Sequence, residues 1–282
     1  MSACGWVEHV RDDDPATGRR FLTRSAYADD RHLRSRQAIF AYADAPADPR
    51  WRTSFVGWDG TQIVADVGCG NGFDLRQIVP DGRCRHAIGV DLSAGMLRSL
   101  GSLVDSGRLS LVQADAQQLP LADASVDVAM AMHMLYHVSD IPAVVQELRR
   151  IVKPGGTLLA STNRSGTLAE INELFNVAVS AQFGRTLDLL PALSFTIETG
   201  AGVLGREFPA IAVHRHDLPL SFPDAEPVIG YLASLREPII ANIKEPLDFD
   251  AALADVAARV DQVIRTEGRF RTTFRTGVFV CR

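Results

Sequence analysis

Five short, mostly apolar runs, residues 63–67, 86–90, 109–113, 126–132 and 156–162, lie in the middle of the chain, and several are separated by stretches of helical spacing at 73–78, 94–103 and 141–152. Strands without polar alternation are buried on both faces, as strands of a parallel sheet are. Strand alternating with helix predicts a doubly wound, mostly parallel α/β sheet. Lys153-Pro154-Gly155-Gly156 then stops the helix at 141–152 and turns the chain sharply into the next strand.

The flanks read differently. Residues 1–59 form an N-terminal lid or cap segment, with an amphipathic helix expected over 29–42 and a linker at 43–49, rich in Ala, Asp and Pro. Residues 60–163 form the alternating core, and 164–282 complete the sheet and add an insert before the sixth strand. Helices are expected at 167–183, 225–235 and 250–266, a strand ending 208–217, and a closing strand at 270–281. One compact domain overall is the reading.

Composition removes several function classes. The net charge is -5, with 34 acidic residues against 29 basic ones, which argues against a phosphate backbone as partner. The segment 7–36 mixes arginines with Asp12, Asp13, Asp14, Asp29 and Asp30, whereas a nucleic-acid tail is one-signed. Cys4, Cys69, Cys84 and Cys281 show no CxxC pair and no metal spacing, so free thiols are expected. His214 and His216 alternate on a strand without a third ligand, so an exposed strand face is expected and no metal site. Met130, Met132 and Met134 read as core or pocket wall. The opening MSACGWVEHVRDDD carries no apolar h-region, and the most apolar stretch, 126–138, holds Asp127 and two histidines. No signal peptide, no membrane span and a cytoplasmic location are the expectations; oligomeric state has no signal.

Chemistry concentrates in Val64-Ala-Asp-Val-Gly-Cys-Gly-Asn-Gly-Phe-Asp74. A buried strand ends at Val67, and Gly68, Gly70 and Gly72 follow before a helix, so the backbone turns tightly and approaches a ligand. Asp91 ends the second strand, where a carboxylate accepts ribose hydroxyls. A nicotinamide dinucleotide is the rival, but the glycines run GxGxG and the dinucleotide fingerprint is GxGxxG. Asp66, two residues before the first glycine, repels a pyrophosphate and suits an ammonium. Asp115 follows the third strand, placed for an adenine amino group. Three acids at three successive strand ends describe a zwitterionic adenosyl amino acid.

The stretch 62–163 resembles the class I S-adenosylmethionine (SAM)-dependent methyltransferases, closest to the small-molecule branch with quinone-biosynthesis-like enzymes. DVGCGNG (66–72), GVDLSAGML (89–97), ADAQQLPLADASVDVA (114–129), HMLYHV (133–138) and ELRRIVKPGG (147–156) match in order and spacing. The resemblance implies a seven-stranded Rossmann-like sheet with SAM as cofactor and S-adenosylhomocysteine (SAH) as product. It implies Asp66, Gly68, Cys69 and Gly70 at the methionine end, Asp91 on the ribose, Leu92 and Ala116 flanking the adenine with Asp115 on its amino group, and Met96 and Gln117 among the cofactor-binding residues. His133 would face the methionine. Tyr27 and Arg36 belong to a segment similar to one that folds over the cofactor in some relatives, and Arg36 would pair with the methionine carboxylate.

Methyl transfer needs positioning, which supplies about 7–11 kcal/mol of a barrier, and in some cases a base. Tyr136, His137 and Asn163 are the candidates. Related enzymes carry a His-His pair where this chain has Tyr136-His137; His137 is the expected base, with an ordinary pKa of about 6.5. The expected activity is methylation of an oxygen, or a nitrogen, of a small, largely apolar acceptor of secondary-metabolite type. The acceptor pocket is expected from the N-terminal segment, the loop after Val138 and the insert between Asn163 and Ala210, with Leu189, Leu190, Leu193 and Phe195. The alternatives are a cofactor-binding cyclase or regulatory module, or a nucleic-acid (RNA) methyltransferase. Against the last, the Asn/Asp-Pro-Pro-Tyr run of the amino-methylating DNA enzymes is absent at Met132-His-Met-Leu-Tyr136.

Overall fold

The computed structural model describes residues 27–46, 48–187, 193–243 and 246–282. Asp12, Asp13, Asp14, Cys4, Leu189 and Leu190, named above, lie outside the described residues, as do residues 1–26 of the expected lid and residue 47 of the expected linker.

Seven strands form one sheet in the order β3-β2-β1-β4-β5-β7-β6. They are β1 (Ile63–Val67), β2 (His86–Asp91), β3 (Leu109–Gln113), β4 (Val126–Met132), β5 (Val152–Asn163), β6 (Ile211–Phe222) and β7 (Phe270–Cys281). The first five run parallel to one another, and β7 inserts antiparallel between β5 and β6. The sheet is therefore doubly wound and mostly parallel. Chain order reverses at β1 and β4, and that crevice is where ligands bind in open α/β sheets.

The helices are α1 (Arg31–Ala38), α2 (Leu75–Ile78), α3 (Ala94–Arg98), α4 (Gly101–Val104), α5 (Ile141–Ile151), α6 (Ala169–Phe183), α7 (Gly200–Leu204), α8 (Glu226–Ala233), α9 (Arg236–Asn242) and α10 (Phe249–Glu267). Alternation along the strands sorts the core into two layers. Ala65, Val67, Ala129 and Ala131 pack toward α5, while Val64, Val128 and Met130 pack toward α2, α3 and α4. Helix α5 starts at Asp140, whose carboxylate accepts from the Ala143 amide at 3.0 Å, and it buries Val144, Val145, Leu148 and Ile151 along one stripe.

A third apolar cluster lies apart from the sheet faces. It joins Ile39 to α6, α8, α10 and the ends of β6 and β7, burying Phe175, Phe222, Phe249 and Phe270. Strands β6 and β7 pair from Ile211–Cys281 to Phe222–Phe270 and so run on as a hairpin that carries this cap. Asp248 caps α10 through the Ala251 amide at 2.9 Å, and Gly268, at φ +81, ends it. Most of the cap therefore comes from residues 223–269, between the sixth and seventh strands, with α6 added from the insert before the sixth.

Two local expectations change. Lys153-Pro154-Gly155-Gly156 is not a turn before β5 but its first part: the strand begins at Val152 and absorbs the four residues in an irregularity opposite Val126 and Val128. His214 and His216 do not form a bare strand face. Phe55 stacks on His214 at 3.9 Å between centroids and Trp51 on His216 at 4.6 Å, covering β6 with the segment before β1. Cys69, Cys84 and Cys281 are free and buried. Among the described residues no helix is long and apolar enough to cross a membrane.

Candidate active site

Beyond the carboxyl ends of β1, β2 and β4 lies a cavity of about 290 Å3. Its floor is the glycine loop. Gly68 takes φ +70, and a Cβ there would come within 2.7 Å of the Met134 side chain, so only glycine fits. The Gly68 and Cys69 amides donate to the Val90 carbonyl at 2.7 and 3.0 Å, which holds the loop against β2. Helix α2, read from sequence as 73–78, is a single turn starting at Leu75. The backbone facing the cavity is thus mainly that of the loop.

The three strand-end acids meet here. Asp66 is 2% exposed, and its Oδ1 is buried without a hydrogen-bond partner among the described residues. Asp91 accepts from the Gly70 amide through Oδ2 and from the Ser93 amide through Oδ1, both at 2.8 Å. Two backbone donors orient that carboxylate and leave lone pairs for hydroxyl groups. Asp115 accepts from the Gln117 amide at 2.8 Å. Leu92, Met96, Ala116 and Val138 make the apolar wall between Asp91 and Asp115. Gln117 itself is not on the wall: its Oε1 accepts from Ser139 at 3.3 Å.

The N-terminal segment closes the cavity from above. Ser93 donates to the Tyr27 carbonyl at 2.6 Å, and the Tyr27 hydroxyl lies 2.9 Å from His137 Nε2. Helix α1 sets Leu33 against Gly70, and Gln37 and Asn71 exchange amide hydrogen bonds at 2.8 and 3.3 Å. Arg36 and the half-buried His133 also line the cavity; His133 has φ +55 and its Nε2 lies 3.3 Å from Thr276 Oγ1. The structure thus brings every site residue expected from sequence, except Gln117, to one cavity.

It adds others. Arg52 makes a bidentate pair with the buried Asp74, at 3.2 and 3.0 Å, and lies over the Phe73 ring. Phe40, Tyr231 and Phe274 supply an aromatic wall from the segment after α1, from α8 and from β7. The insert between Asn163 and Ala210, expected to build the pocket, contributes none of the described lining residues beyond Asn163 itself, because α6 packs on α10 and away from the strand ends. Arg52 stands among charged, aperiodic residues and Tyr231 lies beyond the sixth strand; neither carries a local signal. Among the described residues no cluster of His, Cys, Asp or Glu could hold a metal ion.

Burial dominates the electrostatics. Asp66 is pushed well above the usual carboxylate range by desolvation, with the nearby Asp74 charge adding to it. Desolvation raises Asp91 also. His137 is lowered to about 3 by burial and then by the Arg36 charge, and His133 to about 3 by burial, Arg52 and His137. The near-neutral pKa expected of His137 is therefore absent: it is a neutral imidazole engaged by Tyr27. Tyr136 and Tyr231 are raised by burial, so both phenols stay protonated.

Residues 65–160 match the family described as the methyltransferase domain. Over those residues the chain carries a methyltransferase domain. Over 174 residues it is 33% identical to a malonyl-[acyl-carrier protein] O-methyltransferase of Erwinia pyrifoliae, covering 61% of this chain and 60% of that one. Over 150 residues it is 31% identical to the O-methyltransferase resE of Aspergillus sclerotiorum, covering 48% and 55%. The matches thus span little more than half the length of these relatives. The methyltransferase fold recurs in the phosphoethanolamine N-methyltransferase 2 of Haemonchus contortus, solved with S-adenosyl-L-methionine, at TM-score 0.55 and 20% identity over 93% of this chain and 59% of that one.

Proposed function

We propose that this protein transfers the methyl group of SAM to an oxygen of a small, largely apolar acceptor by in-line displacement. One observation carries the reading: Asp66, Asp91 and Asp115 converge on a single cavity that Phe40, Tyr231 and Phe274 also line. The residues fit the cofactor. The unpartnered Oδ1 of Asp66 suits the methionine ammonium, Asp91 the ribose hydroxyls, and Asp115 with Leu92, Met96 and Ala116 the adenine. When bound, SAM supplies a methyl group on a cationic sulfur that leaves as a neutral thioether. The relatives named O-methyltransferases favour oxygen over nitrogen as the acceptor atom.

The protein's part is to hold and dehydrate. Tyr27 lies across the cavity, tied to Ser93 on one side and His137 on the other, which excludes water and fixes the acceptor side. His137 and Tyr136 face that side and act as hydrogen-bonding groups for the acceptor; neither sits near neutrality in the closed site. The test is calorimetric titration with SAM and SAH, joined to labelled methyl transfer onto acids, phenols, alcohols and amines. Tight SAH binding with methyl label on oxygen is the expected result. Absence of SAH binding, or label on nitrogen alone, overturns the reading.

A further inference from the structure

Among the described residues two guanidinium groups line the cavity, and they are not equivalent. Arg52 is neutralised inside the protein by its bidentate bond to Asp74, beside the glycine loop. Arg36 has no carboxylate partner among the described residues. Its Nη1 donates to the Ser234 carbonyl, at the end of α8, at 3.1 Å, while Nη2 is buried with no partner. Its Cζ lies 5.3 Å from the Tyr27 ring centroid. A buried guanidinium with an unused donor is costly unless an anion completes it.

The methionine carboxylate is not the best match for that anion. Asp66 marks the ammonium end of the zwitterion, and the cation whose field reaches Asp66 is Arg52. The field of Arg36 falls instead on Tyr27, Tyr136, Tyr231 and His137, the aromatic side of the cavity. An ammonium acceptor is repelled there. A phenol or alcohol would need a proton acceptor, and the imidazole on that side already shares Nε2 with the Tyr27 hydroxyl at 2.9 Å. A carboxylic acid ionises unaided at neutral pH.

We propose that the acceptor carries a carboxylate that pairs with Arg36, and that a carboxylate oxygen receives the methyl group to give a methyl ester. Its apolar body then lies against Phe40, Tyr231 and Phe274. The step balances without a base. A carboxylate lone pair forms the O–CH3 bond, the S–CH3 bond breaks, and its electron pair stays on sulfur as the neutral thioether. The acceptor's negative charge and the sulfonium's positive charge vanish together, and no proton moves. This inference rests on the transferase reading above.

The experiment uses the whole chain saturated with SAH. Phenylalkanoic and medium-chain fatty acids, each paired with the alcohol and amine of the same skeleton, are titrated into wild type, Arg36→Gln and Arg36→Lys; turnover is read with labelled SAM as base-labile methyl product. Acids are expected to bind and be esterified ahead of their paired alcohols and amines. Arg36→Gln should weaken acid binding by roughly tenfold to a hundredfold with SAH affinity nearly unchanged, and Arg36→Lys should restore part of it. Preference for an alcohol or amine overturns the inference, as does failure of every acid to bind. So does an Arg36→Gln variant that loses SAH affinity as much as acid affinity, since Arg36 would then hold the methionine carboxylate. Arg36-dependent acid binding without ester product would keep the acid subsite and overturn methyl transfer to it. Absence of SAH binding would overturn the transferase reading itself.

Discussion

Replacing Asp66 with asparagine should make the empty protein more stable while ruining its cofactor site. The carboxylate is 2% exposed, one oxygen has no partner among the described residues, and Asp74 lies close enough to oppose its charge. An uncompensated buried polar group costs about 1–3 kcal/mol. At ~2.1 cal/mol/K of unfolding entropy per residue, a chain of 282 residues gains about 2 °C in Tm per kcal/mol, so a rise of roughly 2–5 °C is expected. The sign depends on pH. Because the folded pKa of Asp66 is raised, wild type pays nothing below the ordinary carboxyl value of about 4 and loses stability as pH climbs above it. The gap between Asp66→Asn and wild type should therefore open above about pH 4 and close in acid. SAH affinity should fall tenfold to a hundredfold, on the order expected for one lost charge-assisted hydrogen bond. Differential scanning calorimetry across pH, with SAH titration at neutral pH, measures both. A variant that melts lower than wild type, or binds SAH as well, would refute the reasoning.

Three further perturbations separate the parts of the site. Arg52→Ala leaves Asp74 buried and unpaired, which should cost about 3–5 kcal/mol and lower Tm by about 5–8 °C; an unchanged melting curve would remove the pair from the stability argument. Gly95→Ala places a Cβ 1.8 Å from the Ala28 carbonyl oxygen, so residues 27–42 should lift, read as faster hydrogen exchange there and weaker SAH binding with the sheet still protected. Tyr27→Phe removes the hydroxyl bonded to His137 and should lower kcat/KM about fivefold, the worth of roughly 1 kcal/mol; unchanged kinetics would show that this bond does not act in turnover.

The sheet was legible because its strands advertise themselves twice, by apolar runs and by the punctuation between them. Strands β1, β3, β4 and β7 have the bounds read from sequence. Helices were harder. The stretch 94–103 is broken into α3 and α4 because Ser99 donates back to the Met96 carbonyl at 2.7 Å and Gly101 weakens continuation. Strand β6 continues through Pro219, which a central strand forbids, because β6 is the edge strand and needs no ladder donor there. Asp66, Asp91 and Asp115 were visible since a parallel sheet puts strand ends side by side. Tyr231 and Phe274 were not, because only the long β6–β7 hairpin and its cap bring them to those ends, and neither was Arg52, which reaches the site through its pair with Asp74.

Gly70, Asp91, Ser93, Tyr27 and His137 form one unbroken chain of hydrogen bonds, running from the glycine loop to the aromatic side of the cavity. Ser93 works in both directions, receiving the Gly95 and Met96 amides and donating to the lid. Filling and sealing the cavity should therefore be coupled, because what occupies Asp91 touches the same cord that holds Tyr27. Ordered binding, cofactor before acceptor, with the spent thioether leaving last, is the kinetic pattern expected of a chamber wired in this way.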